Sequence, residues 1–155
     1  MAKVEVGHKA PDFALLDTKG NEVKLSDYEG KQPVVLFFFP KAFTGTCERQ
    51  ISEHHHHMAR FQELGAAVIG VSTDQSPAQA AFVAKCGADS VTILSDFRHR
   101  VVNLYGVARA EGNLPNERAT FILDKTGVVR YAFVEPSPGG WSGLDPEFDT
   151  LQRLR

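Results

Sequence analysis

The chain has 155 residues, about one domain's worth of polypeptide and enough to bury one core without covalent staples. Its 17 basic and 19 acidic residues leave a net charge of −2, which argues against nucleic acid or an anionic membrane as the main partner. Two cysteines, Cys47 and Cys86, are too few for a disulfide framework or a thiolate zinc cluster, leaving redox or nucleophilic chemistry, or two inert buried thiols.

The opening Met1-Ala2-Lys3-Val4-Glu5-Val6 lacks the basic flank and apolar stretch of a secretory signal. The longest apolar run is far short of the ~20 residues a membrane helix needs. A cytoplasmic protein with reduced thiols is expected, folded as one domain over residues 1–155.

In chain order, Phe13–Leu16 and Val23–Leu25, separated by a Lys-Gly-Asn turn, predict a short hairpin. Val34–Phe39 is β-branched and aromatic and apolar on both faces, the pattern of a strand buried on both sides. Pro40 stops it, a loop runs from Lys41 to Thr46, and a helix is expected from about Cys47 to Leu64. Ala67–Ser72 reads as a second buried strand. Ser76-Pro77 predicts a helix start, with Ser76 as N-cap and Pro77 in the first position. That helix runs to about Cys86, where Gly87 can end it. Ala119–Leu123 and Val128–Phe133, joined by Asp124-Lys125-Thr126-Gly127, give a strong hairpin signal. Asp145-Pro146 opens a terminal helix. The order predicts an α/β sandwich with a mixed sheet.

Cys47 follows a buried strand and a Thr/Gly loop and arrives in the first turn of a helix. Unpaired backbone N–H groups and the helix dipole favour an anion there, and cysteines at helix N-termini are often thiolates near neutral pH. Thr44, three residues earlier, can hold its hydroxyl beside the sulfur. The competing reading is a buried cysteine that only packs.

The motif Pro40-x-x-x-Thr44-x-x-Cys47 resembles the active-site motif of the peroxiredoxins, thiol-dependent peroxidases on a thioredoxin-like α/β fold. Gly7-x-x-Ala10-Pro11-Asp12-Phe13, Leu25-Ser26-Asp27-Tyr28-x-Gly30-Lys31 and Val35-Leu36-x-Phe38-Phe39-Pro40 are similar to the family's leading segment. Leu94–Phe97, Tyr105-Gly106-Val107 and Glu117–Asp124 continue the likeness in family order. The resemblance implies a central mixed sheet flanked by helices, with an N-terminal hairpin. It implies that Cys47 attacks a peroxide oriented by Thr44 and backbone N–H groups, while Arg118 supplies fixed positive charge and Pro40 shields the sulfur. Read from its neighbours alone, Arg118 could instead pair with Glu117 at the surface. The product is a sulfenic acid on Cys47, which a thiol must resolve.

Cys86 is the one internal candidate for that thiol. Its place at the end of a helix resembles an atypical two-cysteine subgroup, whereas Phe43–Thr46 and Leu94–Phe97 resemble a one-cysteine subgroup. The subgroup with a resolving cysteine five residues after the first is excluded, since Ser52 stands there. An outside reductant, thioredoxin-like, glutaredoxin-like or a small thiol, completes the cycle, and neither scheme needs a metal or organic cofactor. A non-enzymatic peroxide sensor on the same fold is the alternative. Relatives with so short a C-terminus commonly form homodimers near the active-site loop, where Phe43 and Trp141 could supply apolar area.

His54-His55-His56-His57 departs from the family pattern. Helical spacing puts Ile51, His54 or His55, Met58 and Phe61 on one apolar stripe. The residues read as a partly solvated helix face. The other readings are a weak two-ligand metal site at His54 and His57 and a tag-like insert.

Overall fold

The two-face apolar run becomes the strand β3 (Val34–Phe38), every residue of it buried, inside a seven-stranded mixed sheet. The protein is described here by a computed structural model covering residues 4–155. The opening residues Met1–Lys3, read above for a leader, lie outside the described residues. The other strands are β1 (Ala14–Asp17), β2 (Glu22–Lys24), β4 (Ala67–Ser72), β5 (Thr92–Ser95), β6 (Ala119–Leu123) and β7 (Val129–Val134). Their order is β2-β1-β5-β4-β3-β6-β7. β3 runs parallel to β4, and β4 to β5; β6 is antiparallel to β3 and β7, and β1 to β2 and β5.

Alternation along β3 supplies both layers. Val35, Phe37 and Phe39 pack with Phe82, Phe148 and Leu151 on one face, and Leu36 and Phe38 pack with Val101, Val102 and Tyr105 on the other. Each fully buried side chain of this size contributes about 1.5–3 kcal/mol. The first layer carries the helices α1 (Gly45–His56), α2 (Met58–Glu63), α3 (Ser76–Cys86) and α5 (Asp145–Arg153); the second carries α4 (Arg100–Leu104).

Several expectations are corrected. The helix anticipated from Cys47 to Leu64 begins two residues earlier and breaks at His57, whose ψ of 15° leaves helical geometry between α1 and α2. Ser76 is the first residue of α3, not its cap; Gln75 (φ −70°, ψ 152°) takes the N-cap and Pro77 the second helical position. Gly87 closes α3 in the left-handed region, as expected. The strand β5 and the helix α4 were not anticipated. Both are short, and the four residues of β5 carry too little pattern to separate a strand from a loop.

Candidate active site

Thr44 is the N-cap of α1, which places Cys47 in its first turn. The first helical bond runs from the Glu48 N–H to the Thr44 carbonyl at 2.9 Å, so the amides of Gly45, Thr46 and Cys47 precede the ladder and give this end its positive potential. The loop before it is held from below. The Asp74 carboxylate, just past β4, accepts from the Ala42 amide and the Ser72 hydroxyl, both at 2.8 Å. Pro40 is buried at the end of β3. Phe43 bends the chain at φ 65°, a left-handed conformation costing a bulky residue on the order of 1–3 kcal/mol. Its ring lies edge-on against Phe82, so the strained turn is stabilised from α3.

Arg118, immediately before β6, is 1% exposed and Cys47 is 0% exposed. Arg118 Nη2 lies 3.2 Å from Cys47 Sγ. The surface pairing with Glu117 does not occur; Glu117 pairs with Arg109 at 2.9 Å. The guanidinium is fixed on three sides. Nη1 donates to Gln50 Oε1 at 2.5 Å, while Nε and Nη2 donate to the Pro138 carbonyl at 3.1 and 3.0 Å. The neighbouring Gly139 carbonyl accepts from the Thr46 hydroxyl at 2.8 Å. The loop after β7 thus holds both the arginine and the first turn of α1. Glu135 shapes that loop by accepting from the Ser142 amide and hydroxyl at 3.1 and 2.9 Å.

Arg118 is thus brought against the Cys47 sulfur, Thr44 caps the helix that carries that cysteine and Pro40 is buried just past β3, with one difference from expectation. The Thr44 hydroxyl donates to the Lys41 carbonyl at 3.0 Å rather than to the sulfur. Gln50, Asp74 and Glu135 escaped sequence reading. Gln50, three residues after Cys47 and on the same helical face, carried the one signal that could have marked it.

Cys86, the last residue of α3, is a free thiol, as is Cys47. It packs partly buried against the Ser52 hydroxyl on α1, with the Lys85–Glu48 pair alongside at 2.5 Å. Burial, and then the Glu48 charge, push its thiol above the usual range; Ser52 and Lys85 act the other way. Ser52 is five residues beyond Cys47, a rise of about 7.5 Å along a helix. Two sulfurs so placed do not bond without backbone movement.

The histidine run does not form a solvated face throughout. His54 is fully buried, with Nδ1 2.8 Å from the Gln50 carbonyl and Nε2 2.8 Å from Glu147 Oε1. His57 lies exposed against the Glu53 carbonyl. The two do not converge as a chelating pair, because both ring nitrogens of His54 are engaged within the protein. Among the described residues no three His, Cys, Asp or Glu side chains are grouped to hold a metal. Trp141 packs at the core's margin, 5.8 Å from the His54 ring and under Arg49.

The AhpC/TSA family matches residues 6–132. Alkyl hydroperoxide reductase E of Mycobacterium tuberculosis is 34% identical over 131 residues, covering 83% of this chain and 84% of that protein. The chloroplastic peroxiredoxin Q of Sedum lineare is 38% identical, over 85% of this chain and 70% of that one. Among solved structures, the M. tuberculosis peroxidoxin BcpB superimposes with a TM-score of 0.87 at 32% identity, covering 98% of this chain and 99% of the other. A peroxiredoxin-like protein from Aquifex aeolicus gives 0.90 at 29%, over 100% and 90%. A thioredoxin-like sheet carrying a cysteine at a helix start, matched along most of its length by these proteins, places the chain in the AhpC/TSA family of peroxiredoxins.

Proposed function

We propose that the protein is a thiol-dependent peroxidase of one domain over residues 1–155, with Cys47 as the nucleophile. The observation that carries this reading is the Arg118 guanidinium 3.2 Å from the Cys47 sulfur at the start of a helix. The Cys47 thiolate attacks one oxygen of a hydroperoxide: an S–O bond forms, the O–O bond breaks, and the departing oxygen takes the electron pair and then a proton. Water or an alcohol leaves, and Cys47 becomes a sulfenic acid. Arg118 and the amides of the first turn are fixed before the reaction, the arrangement that contributes most to stabilising developing charge. Thr44 orients the peroxide on exchanging its bond to Lys41, and Pro40 covers the sulfur. A surface cleft of about 580 Å³ beside Leu16, Pro77 and Phe97 does not touch Cys47. A fully covered sulfur suits a small oxidant.

Cys86 resolves the sulfenic acid. Its thiolate attacks the Cys47 sulfur, the disulfide forms, and the hydroxyl leaves as water with one proton. The first turn of α1 unwinds to bring the sulfurs together, and Cys86 waits beside Ser52 for that movement. A thioredoxin-like, glutaredoxin-like or small thiol then reduces the disulfide. No helix among the described residues is long and apolar enough to cross a membrane, and we assign the protein to the cytoplasm. We also assign a homodimer built around the exposed Phe43, with the half-buried Trp141 at the core's margin.

The test is turnover. With excess dithiol and hydrogen peroxide, many equivalents consumed per chain are expected, and a single equivalent would instead identify a sensor. Sedimentation of the reduced protein checks the dimer, which Phe43→Ala is expected to weaken.

A further inference from the structure

One charged pair lies buried behind the site and takes no part in the chemistry above. His54 on α1 and Glu147 on α5 are 0% and 2% exposed, 93 residues apart in sequence and 2.8 Å apart in space. The imidazole stacks on Phe37 at 4.5 Å and 10°, with Phe61 at 5.6 Å and Trp141 at 5.8 Å. Its Nδ1 faces the carbonyl of Gln50, the residue whose side chain holds Arg118. A buried ion pair is poor ground for stability alone, since apolar residues of like volume often do as well. This one sits in an aromatic pocket that a leucine could fill, one helical turn behind Gln50.

We propose that His54 and Glu147 are positioning residues of the active site, a buried acid–base clasp tying α5 to α1. It fixes the turn of α1 that carries Gln50, and through Gln50 it fixes the Arg118 guanidinium on Cys47. This rests on the peroxidase reading only for its kinetic consequence. Both ring nitrogens of His54 face acceptors, so the pair is satisfied only when it holds a second proton between Nε2 and Oε1. The other charged or titratable groups around the clasp are Glu53 on α1, Tyr131 on β7, Arg49 across the Trp141 ring, and Arg118 beyond Gln50. Burial opposes the charge on His54, but the Glu147 charge and hydrogen bond, the Gln50 carbonyl and Glu53 outweigh it and hold the imidazole above its ordinary value. The sign follows: the clasp is complete below the ordinary imidazole value and opens as pH rises through the raised one.

Trp141 is the only tryptophan, and a protonated imidazole quenches nearby indole emission, so the clasp has its own reporter. The experiment follows Trp141 emission of the reduced protein against pH without peroxide, and the single-turnover rate of Cys47 oxidation by hydrogen peroxide over the same range. Glu147→Gln and His54→Leu are compared with wild type, with the exposed His56→Ala as control. In wild type, emission is expected to rise on the alkaline side as the oxidation rate falls. Glu147→Gln is expected to move the emission step to lower pH and slow oxidation at neutral pH about tenfold, within what sub-ångström misplacement of catalytic groups can cost. His54→Leu is expected to abolish the step, and His56→Ala to change neither reading. An emission step unmoved in Glu147→Gln overturns the clasp, even in an active peroxidase. A moved step with wild-type oxidation rates, in variants folded by circular dichroism, overturns the positioning role. If wild type does not react with peroxide, the emission step still decides the clasp, and the peroxidase reading alone fails.

Discussion

Arg118 reaches Cys47 from 71 residues away in sequence and meets it at 3.2 Å, with both side chains closed off from water. The guanidinium makes three further hydrogen bonds, from Nη1 to Gln50 Oε1 and from Nε and Nη2 to the Pro138 carbonyl, so it cannot swing toward the sulfur only when needed. Its position is set before any peroxide arrives.

Arg118→Lys tests that fixity. Lysine keeps the charge but cannot span the Gln50 side chain, the Pro138 carbonyl and the sulfur together. The second-order rate of Cys47 oxidation, read by stopped flow, is expected to fall about a hundredfold, the scale of losing one preorganised donor. A loss below threefold would mean that charge alone suffices.

Thr44 is placed by the helix N-cap rather than by a bond to sulfur, its hydroxyl resting on the Lys41 carbonyl. Thr44→Ser is expected to keep most of the oxidation rate, and Thr44→Val to lose about tenfold or more. Equal rates in the two variants would remove the hydroxyl from the account.

The resolving step carries its own pH dependence. Burial and Glu48 hold the Cys86 thiol above the usual range, so little thiolate is present at neutral pH. Disulfide formation after a peroxide pulse is therefore expected to accelerate as pH rises. Glu48→Gln removes one raising influence and is expected to shift that acceleration to lower pH. A profile flat in pH, or unmoved in Glu48→Gln, would point to an outside thiol as the resolver.

Much of the site was legible because its parts are local. A doubly buried strand, a proline stop, a Thr/Gly loop and a cysteine in the first helical turn lie within fourteen consecutive residues, 34–47. Arg118 needed the family likeness, since its neighbours alone suggested a surface pair with Glu117. What stayed hidden depends on long-range packing. Four identical histidines conceal which one faces inward, and Glu147, the partner that makes His54 a core residue, comes from α5. The break at His57 was equally hidden, because the apolar stripe continues through Met58 and Phe61 into α2.

Gly70 shows how closely the sheet is packed behind that histidine. A Cβ on β4 at this position would stand 2.7 and 2.9 Å from two Phe37 ring atoms and 2.8 Å from Ile93 Cδ1. Phe37 is the ring on which His54 stacks. Gly70→Ala is expected to destabilise the fold by about 1–3 kcal/mol, the usual cost of overpacking a filled core, read by chemical denaturation. An unchanged midpoint would contradict the packing described.

The central claim, that Cys47 is the oxidised atom's residue, is tested most directly by locating oxidation after one equivalent of hydrogen peroxide. Intact and peptide mass spectrometry of wild type, Cys47→Ser and Cys86→Ser gives the answer. Wild type is predicted to yield a Cys47–Cys86 disulfide on a monomer-sized chain, Cys86→Ser a trappable sulfenic acid on Cys47, and Cys47→Ser no rapid oxidation. Rapid peroxide consumption by Cys47→Ser, or oxidation appearing first on Cys86, would contradict it.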